Sequence, residues 1–252
     1  MNAITDLEKL REELEGLGLL HAAEVLTETV QDSVKHDRSA PEMLHRLLRV
    51  ETTQREERRV RIGLKLSSLP GGMTLESFDF GFQPGIDRKR IETLATGVFI
   101  REHANLLFQG PPGVGKTHLA TALGIKALEQ GFGVAFYRLD SLLYDMRKDA
   151  DIPPSRLRRK KYFNARYLII DEVGFEAMNR QDAGLFFRLV SYRYGRGSIA
   201  ITTNKSVKDW PLIFAGDEPM TAAILDRLLH HSVVFNVKGR SYRLQDLEKL
   251  LK

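Results

Sequence analysis

Eight consecutive residues carry the plainest chemistry in the sequence: Gly110-Pro111-Pro112-Gly113-Val114-Gly115-Lys116-Thr117, which reads G-x-x-x-x-G-K-T. Glycines in such a loop let the backbone curl until successive N–H groups point inward at phosphate oxygens. A helix starting at the loop adds the partial positive charge of its N-terminus. Lys116 reaches the outer phosphates as a mobile point charge, and the Thr117 hydroxyl can take one position around Mg²⁺. The pattern means this only between a strand and a helix. The largely apolar run 105–109 stands before it, and His118-Leu119-Ala120-Thr121-Ala122-Leu123 follows with helical character.

A second constellation lies downstream. Tyr167-Leu168-Ile169-Ile170-Asp171-Glu172 is an apolar strand ending in two carboxylates. Behind a phosphate-binding loop this is the Walker B arrangement: Asp171 holds Mg²⁺, usually through water, and Glu172 polarises the attacking water as general base. Ser198-Ile199-Ala200-Ile201-Thr202-Thr203-Asn204 is another buried strand, and its terminal amide is placed to meet the terminal phosphate or the water. Each also has a plainer reading, a strand tipped by surface acids and an Asn turn. The loop upstream favours the chemical ones.

These residues need a frame. After residue 70, strands at 105–109, 134–137, 167–172, 198–204 and 233–237 alternate with helical stretches, which predicts a parallel α/β sheet with helices on both faces. Ligands then bind outside the carboxyl ends of the strands, where the loop, Glu172 and Asn204 all fall. Helices are expected over 86–101, 182–194, 222–229 and 244–251, and one capped by Asp140-Ser141. Before the turn chemistry of Ser67-Ser68-Leu69-Pro70-Gly71-Gly72 come three apolar-striped helices, one opened by the capping box at Thr5–Glu8 and one starting at Ser39-Ala40-Pro41. The expected division is a helical domain over 1–68 and a nucleotide-binding domain over 69–252. The aromatic stretch Phe78–Pro84 either lines a base pocket or covers the edge of the core.

Two cation-rich stretches remain. Residues 51–61 are almost wholly charged, which suits a solvated helix laced with i,i+4 pairs. Their end, Arg58, Arg59 and Arg61, is a candidate DNA contact. Arg156, Arg158, Arg159, Lys160 and Lys161, beside Tyr162 and Phe163, suit phosphate contact or form a basic face pinned by its aromatics. The net charge of +5 is compatible with nucleic acid without demanding it. The absence of cysteine excludes disulfides, cysteine zinc sites and thiol catalysis. No apolar run reaches membrane-spanning length and no secretory leader pattern opens the chain, so a cytoplasmic location is expected.

The run 110–120, with Ile169-Ile170-Asp171-Glu172-Val173-Gly174, Thr202-Thr203-Asn204, Leu225-Asp226-Arg227-Leu228-Leu229-His230-His231 and Gly239-Arg240-Ser241-Tyr242-Arg243, resembles AAA+ ATPases of the DnaC/IstB group, over essentially the full length. The resemblance implies an AAA+ P-loop core without a C-terminal helical lid, behind a small all-α domain that joins in DNA binding and assembly. It implies ATP and Mg²⁺ as cofactors, and homo-oligomers on double-stranded DNA that recruit or stimulate an IstA-like transposase. Residue by residue it makes Gly110, Pro111, Pro112, Gly113, Val114, Gly115, Lys116, Thr117 and the adjoining His118 the Walker A site, with Asp171 and Glu172 as Walker B and Asn204 as sensor 1. It makes Arg227 an arginine finger on a neighbour's ATP, and Arg243 either sensor 2 or an ordinary surface arginine. Alternatives are a DnaC-type helicase loader, an ATP-gated DNA scaffold that hydrolyses slowly and, more distantly, a P-loop kinase.

Overall fold

The computed structural model describes residues 3–242 and 244. The Arg243 assignment and the helix expected over 244–251 therefore lie outside the described residues, apart from Leu244. The chain divides into two compact units, Met1–Ile62 and Gly63–Lys252.

The first unit contains α1 (Ala3–Gly16), α2 (Leu20–Lys35) and most of α3 (Ala40–Ser67). Ala22, Leu26 and Leu47 form its small core, with Leu7, Leu14 and Val30 packed around them. Ser39 and Glu42 open α3: the Ser39 N–H and hydroxyl both donate to the Glu42 carboxylate. Leu19 cannot cap α2 with a side chain, and Glu51 of α3 does so instead. Its carboxylate accepts the His21 and Ala22 N–H groups at 2.9 and 3.2 Å, and Arg55 holds its other oxygen at 2.8 Å. Burial pushes this carboxyl up, but those three donors hold it below the usual range. Glu51, expected on a solvated face, is thus buried, while the charged turns after it are exposed as expected.

In the second unit, α4 (Arg88–Ala95) and α5 (Val98–Arg101) lead into β1 (Asn105–Gln109) and α6 (Lys116–Glu129). Then follow β2 (Val134–Arg138), α7 (Leu139–Lys148), the single turns α8 (Pro154–Leu157) and α9 (Lys161–Asn164), β3 (Tyr167–Val173), α10 (Arg180–Arg193) and β4 (Ser198–Thr203). The turn α11 (Trp210–Ile213), α12 (Glu218–Leu229) and β5 (Ser232–Asn236) follow. All five strands are parallel, in the order β2-β3-β4-β1-β5. Both faces are covered, which is why the strands read as nearly continuous apolar runs. Leu106, Phe108 and Ile169 pack with α4, α5 and α6 on one face. Leu107, Leu168, Ile170 and Ile201 pack with α7, α10 and α12 on the other. Among the described residues no helical bundle follows β5, and no helix is long and apolar enough to cross a membrane.

Two expected helices need correction. The stretch 86–101 is not one helix but two, broken at Gly97, which takes φ 75° and lies so close to Gln130 and Phe132 that a Cβ would come within 2.6 and 2.9 Å of them. Asp140 and Ser141 lie inside α7, whose N-cap is Arg138.

Candidate functional site

The loop 110–115 leaves β1 at its carboxyl end and delivers Lys116 and Thr117 as the first residues of α6. Its curl depends on glycine. Gly110 sits at φ 155°, and a Cβ there would meet the Val237 carbonyl at 2.1 Å. The segment after β5 closes over the loop: the Val237 N–H donates to Gln109 O, and the Tyr242 N–H donates to Gly113 O at 3.0 Å. Lys116 Nζ donates to the carbonyls of Gly110 and Pro111, at 2.8 and 2.7 Å, so the ammonium lies along the loop.

Three parallel strand ends bring the oxygen groups together. Thr117 Oγ1 donates to Asp171 Oδ1 at 2.7 Å, and Thr202 Oγ1 donates to the same oxygen. Asp171 is buried, held by two hydroxyls beside the helix start. A hydroxyl and a carboxylate converging at the loop form a hard-oxygen donor set of the kind Mg²⁺ takes when phosphates complete its shell. The loop and its neighbours thus fit a magnesium–nucleoside triphosphate.

Glu172 is turned out of the strand. The β3–β4 register slips between Ile170 and Val173, and Glu172 has φ 62°. Its N–H is satisfied by Thr202 Oγ1 at 3.0 Å. This irregularity points successive acids different ways, Asp171 inward to Thr117 and Glu172 to a half-exposed position. There Glu172 Oε2 meets Arg138 Nη2 at 2.8 Å. Sequence reasoning missed Arg138. It ends β2, one residue past the expected strand 134–137, and only the register of the folded sheet sets it beside Asp171 of the adjacent strand. Thr202 was missed too, although it lies in the strand expected to carry Asn204. Asn204 follows the last residue of β4 and is exposed at the same edge of the sheet.

A cavity of about 280 Å³ beside the loop is lined by Phe78, Lys116, Thr117, His118 and Tyr242. Phe78 is buried against Phe80 and His118, as the core-edge reading of the aromatic stretch expects, and it also lines this cavity. Phe82 packs on Tyr242, with ring centroids 4.2 Å apart. The His118 ring binds Thr74 O at 2.7 Å, which ties the segment 74–82 to α6.

Arg227 is not brought to this loop. It lies in the last turn of α12, where Asn105 Nδ2 donates to the neighbouring carbonyl of Leu228 at 3.0 Å. That is the amino end of β1, roughly 17 Å of strand from the carboxyl end that carries the loop. Its guanidinium donates to Ala223 O and stacks over Phe187.

The basic candidates separate. Arg156, Arg158 and Arg159 are exposed around α8. Lys160 instead binds the buried Asp149 at 2.8 Å, together with the Tyr162 hydroxyl. Burial pushes the Asp149 carboxyl up, but these two partners hold it below the usual range. Lys161 donates to Leu66 O at the end of α3. Tyr162 and Phe163 are core residues, so the aromatics beside the cations are there for packing. In the first unit Arg58, Arg59 and Arg61 are exposed along α3.

The sequence profile of the family described as "IstB-like ATP binding protein" matches residues 12–249. The chain is similar to an insertion-sequence IS21 protein of Pseudomonas aeruginosa named for ATP binding, 44% identical over 238 residues, covering 94% of this chain and 89% of that protein. It is 37% identical over 239 residues to the corresponding IS5376 protein of Geobacillus stearothermophilus, covering 95% of each. Among solved structures, AMPPCP-bound DnaA from Aquifex aeolicus superposes with a TM-score of 0.56 at 18% identity, over 73% of this chain and 56% of that one. The DnaC helicase loader does so with a TM-score of 0.50 at 22% identity, over 60% and 87%. These superpositions show a shared AAA+ fold.

Proposed function

This chain belongs to the family of IstB-like ATP binding proteins, and from that premise we propose that it is an AAA+ ATPase that assists DNA transposition from the bacterial cytoplasm. It hydrolyses ATP with Mg²⁺, assembles with copies of itself on double-stranded DNA, and recruits or stimulates a transposase. One observation carries the ATPase reading: Thr117 and Asp171 meet at the carboxyl ends of β1 and β3 beside the glycine loop, with Glu172 next along β3. Magnesium, held by Thr117 and Asp171, would neutralise charge on the outer phosphates.

The chain's own groups divide the work. The loop N–H groups of 110–115 and the start of α6 cradle phosphates. Lys116 swings from its loop carbonyls to a phosphate oxygen. Thr117 and Asp171 hold the metal, and their present mutual hydrogen bond keeps both oxygens at one point. Glu172 takes the proton of the attacking water, with Asn204 orienting that water. Phe78, His118 and Tyr242 face the base and ribose. The arginine finger comes from a second copy, because Arg227 sits a strand's length from its own loop.

DNA contact is assigned to Arg156, Arg158 and Arg159 in one unit and to Arg58, Arg59 and Arg61 in the other, all exposed. Family membership over nearly the whole chain favours the transposition role above the helicase-loader reading, which rests on likeness of fold. The test is a nucleotide-binding titration run beside a phosphate-release assay. Lys116→Ala should lose ATP binding. Glu172→Gln should bind ATP and turn over roughly 10²–10⁴-fold more slowly. Wild-type turnover in Glu172→Gln would sink the assignment.

A further inference from the structure

Nearly every polar side chain that lines the cavity beside the phosphate loop is already engaged. Lys116 and Thr117 serve the loop and Asp171. The Ser77 hydroxyl lies between Gly72 O and Thr74 O, each at 3.1 Å, and accepts the Thr74 N–H. The His118 ring is held by Thr74 O, and the Tyr242 hydroxyl donates to Asp79 O at 2.9 Å. Asp79 is different. It is the only acid in the lining among the described residues, and it is exposed. Its Oδ1 accepts the Phe82 N–H at 3.0 Å, while its Oδ2 has no hydrogen-bond partner among the described residues.

Asp79 is also held at a fixed reach from the phosphate loop. Tyr242 spans the two: its N–H donates to Gly113 O in the loop at 3.0 Å, and its hydroxyl to Asp79 O. The Gln83 N–H donates to the same Asp79 carbonyl, and the buried Gln83 side chain donates Nε2 to Arg240 O at 2.9 Å. Burial, and then the nearby Asp79 carboxylate, push the Tyr242 phenol up, so the free acid lies beside that wall of the cavity. An acceptor braced in this way loses little freedom when a ligand meets it.

A carboxylate accepts hydrogen bonds and donates none. With its phosphates in the loop, a nucleotide lays its base among Met73, Phe78 and Tyr242, and the base edge that reaches Asp79 must offer a donor. Adenine offers its 6-amino group. A 6-oxo purine brings an oxygen against the charge. We infer that Asp79 selects the base: Oδ2 accepts from the exocyclic 6-amine of adenine, which favours 6-amino over 6-oxo purines. This rests on the reading of the cavity as the seat of the ATP base.

The test is a set of binding titrations on the full-length protein with ATP, inosine triphosphate and purine riboside triphosphate, which has no substituent at position 6. The wild type should bind both analogues about tenfold more weakly than ATP, the loss expected for a hydrogen bond to a charged group. Asp79→Asn keeps an oxygen for the Phe82 N–H and turns the free oxygen into an amide donor. It should prefer inosine triphosphate to ATP, while purine riboside triphosphate binds both proteins alike. A uniform loss for all three ligands in Asp79→Asn would make Asp79 a structural residue and overturn the proposal. So would GTP binding the wild type more tightly than ATP, because the carboxylate would then be taking the guanine edge. Equal binding of ATP and purine riboside triphosphate that Lys116→Ala abolishes would overturn base selection and leave the nucleotide site standing. Binding that Lys116→Ala leaves intact would sink the nucleotide site, and the role of Asp79 with it.

Discussion

At the scale of single residues, the site is governed by which hydrogen bonds compete for two adjacent carboxylates. Asp171 is fixed by Thr117 and Thr202, and Glu172 is drawn to Arg138 by an ion pair in which both partners are about half exposed. Exposed pairs of this kind are worth about 0.2–1 kcal/mol. In the proposed reaction Glu172 has to leave Arg138 to reach the attacking water, so Arg138→Ala should raise basal phosphate release by up to about fivefold, with ATP affinity unchanged. A fall in turnover at constant affinity would instead make Arg138 a support for Glu172. Thr202→Val tests the other side. It keeps the shape, removes the hydroxyl from Asp171 and leaves the Glu172 N–H without its acceptor. A loss of about 1–3 kcal/mol in stability is expected in chemical denaturation, together with weaker Mg²⁺-dependent nucleotide binding.

At the scale of elements, the notable devices are a break and a borrowed cap. Gly97 splits the expected helix because the chain must turn left-handed there against Gln130 and Phe132. Gly97→Ala should cost about 1–2 kcal/mol from the backbone alone, with more from the collision, and denaturant midpoints would read it. An unchanged midpoint would mean that α4 and α5 can join without strain. The basic stretch shows a different division. Lys160 and Lys161 are tied to Asp149 and Leu66, though Lys161 stays exposed, and the three arginines of 156–159 are solvent-facing with no carboxylate partner among the described residues. Arg156, Arg158 and Arg159 changed together to Ala should flatten the slope of log K against log salt by roughly 2–3 units, at about 0.9 per phosphate contact. Binding should weaken equally on unrelated duplexes, because phosphate contacts carry no sequence information. If the slope stays the same, DNA contact belongs to α3 instead.

At the scale of the whole molecule, the parallel strands put the phosphate loop at their carboxyl ends and Arg227 at their amino ends. One chain cannot complete its own transition-state stabilisation by that arginine. Arg227→Ala should keep nucleotide affinity and lose turnover that depends on assembly, and mixing it with Lys116→Ala should restore part of the rate. No recovery at any ratio, with both proteins folded by circular dichroism, would remove Arg227 from the reaction. A protein concentration series of phosphate release gives the companion measurement: specific activity should rise with concentration in the wild type and stay flat in Arg227→Ala.

The strands and the two acidic and glycine-rich motifs were legible in the sequence because their causes are local. A strand buried on both faces must be apolar throughout, and a phosphate loop must be glycine-rich between strand and helix. The resemblance over nearly the full chain further carried the family. What the sequence could not settle were pairings across distance. Nothing local says that Glu51 caps a helix that begins thirty-one residues before it, because the reason is the unmet N–H groups of His21 and Ala22. Nothing local separates Lys160, consumed by a buried carboxylate, from Arg159 beside it. Arg138 and Thr202 entered the site only when parallel register set their strand ends against Asp171 and Glu172. Burial and pairing are properties of packed surfaces, so the tertiary structure alone separated the charges that hold the fold together from those that stay exposed.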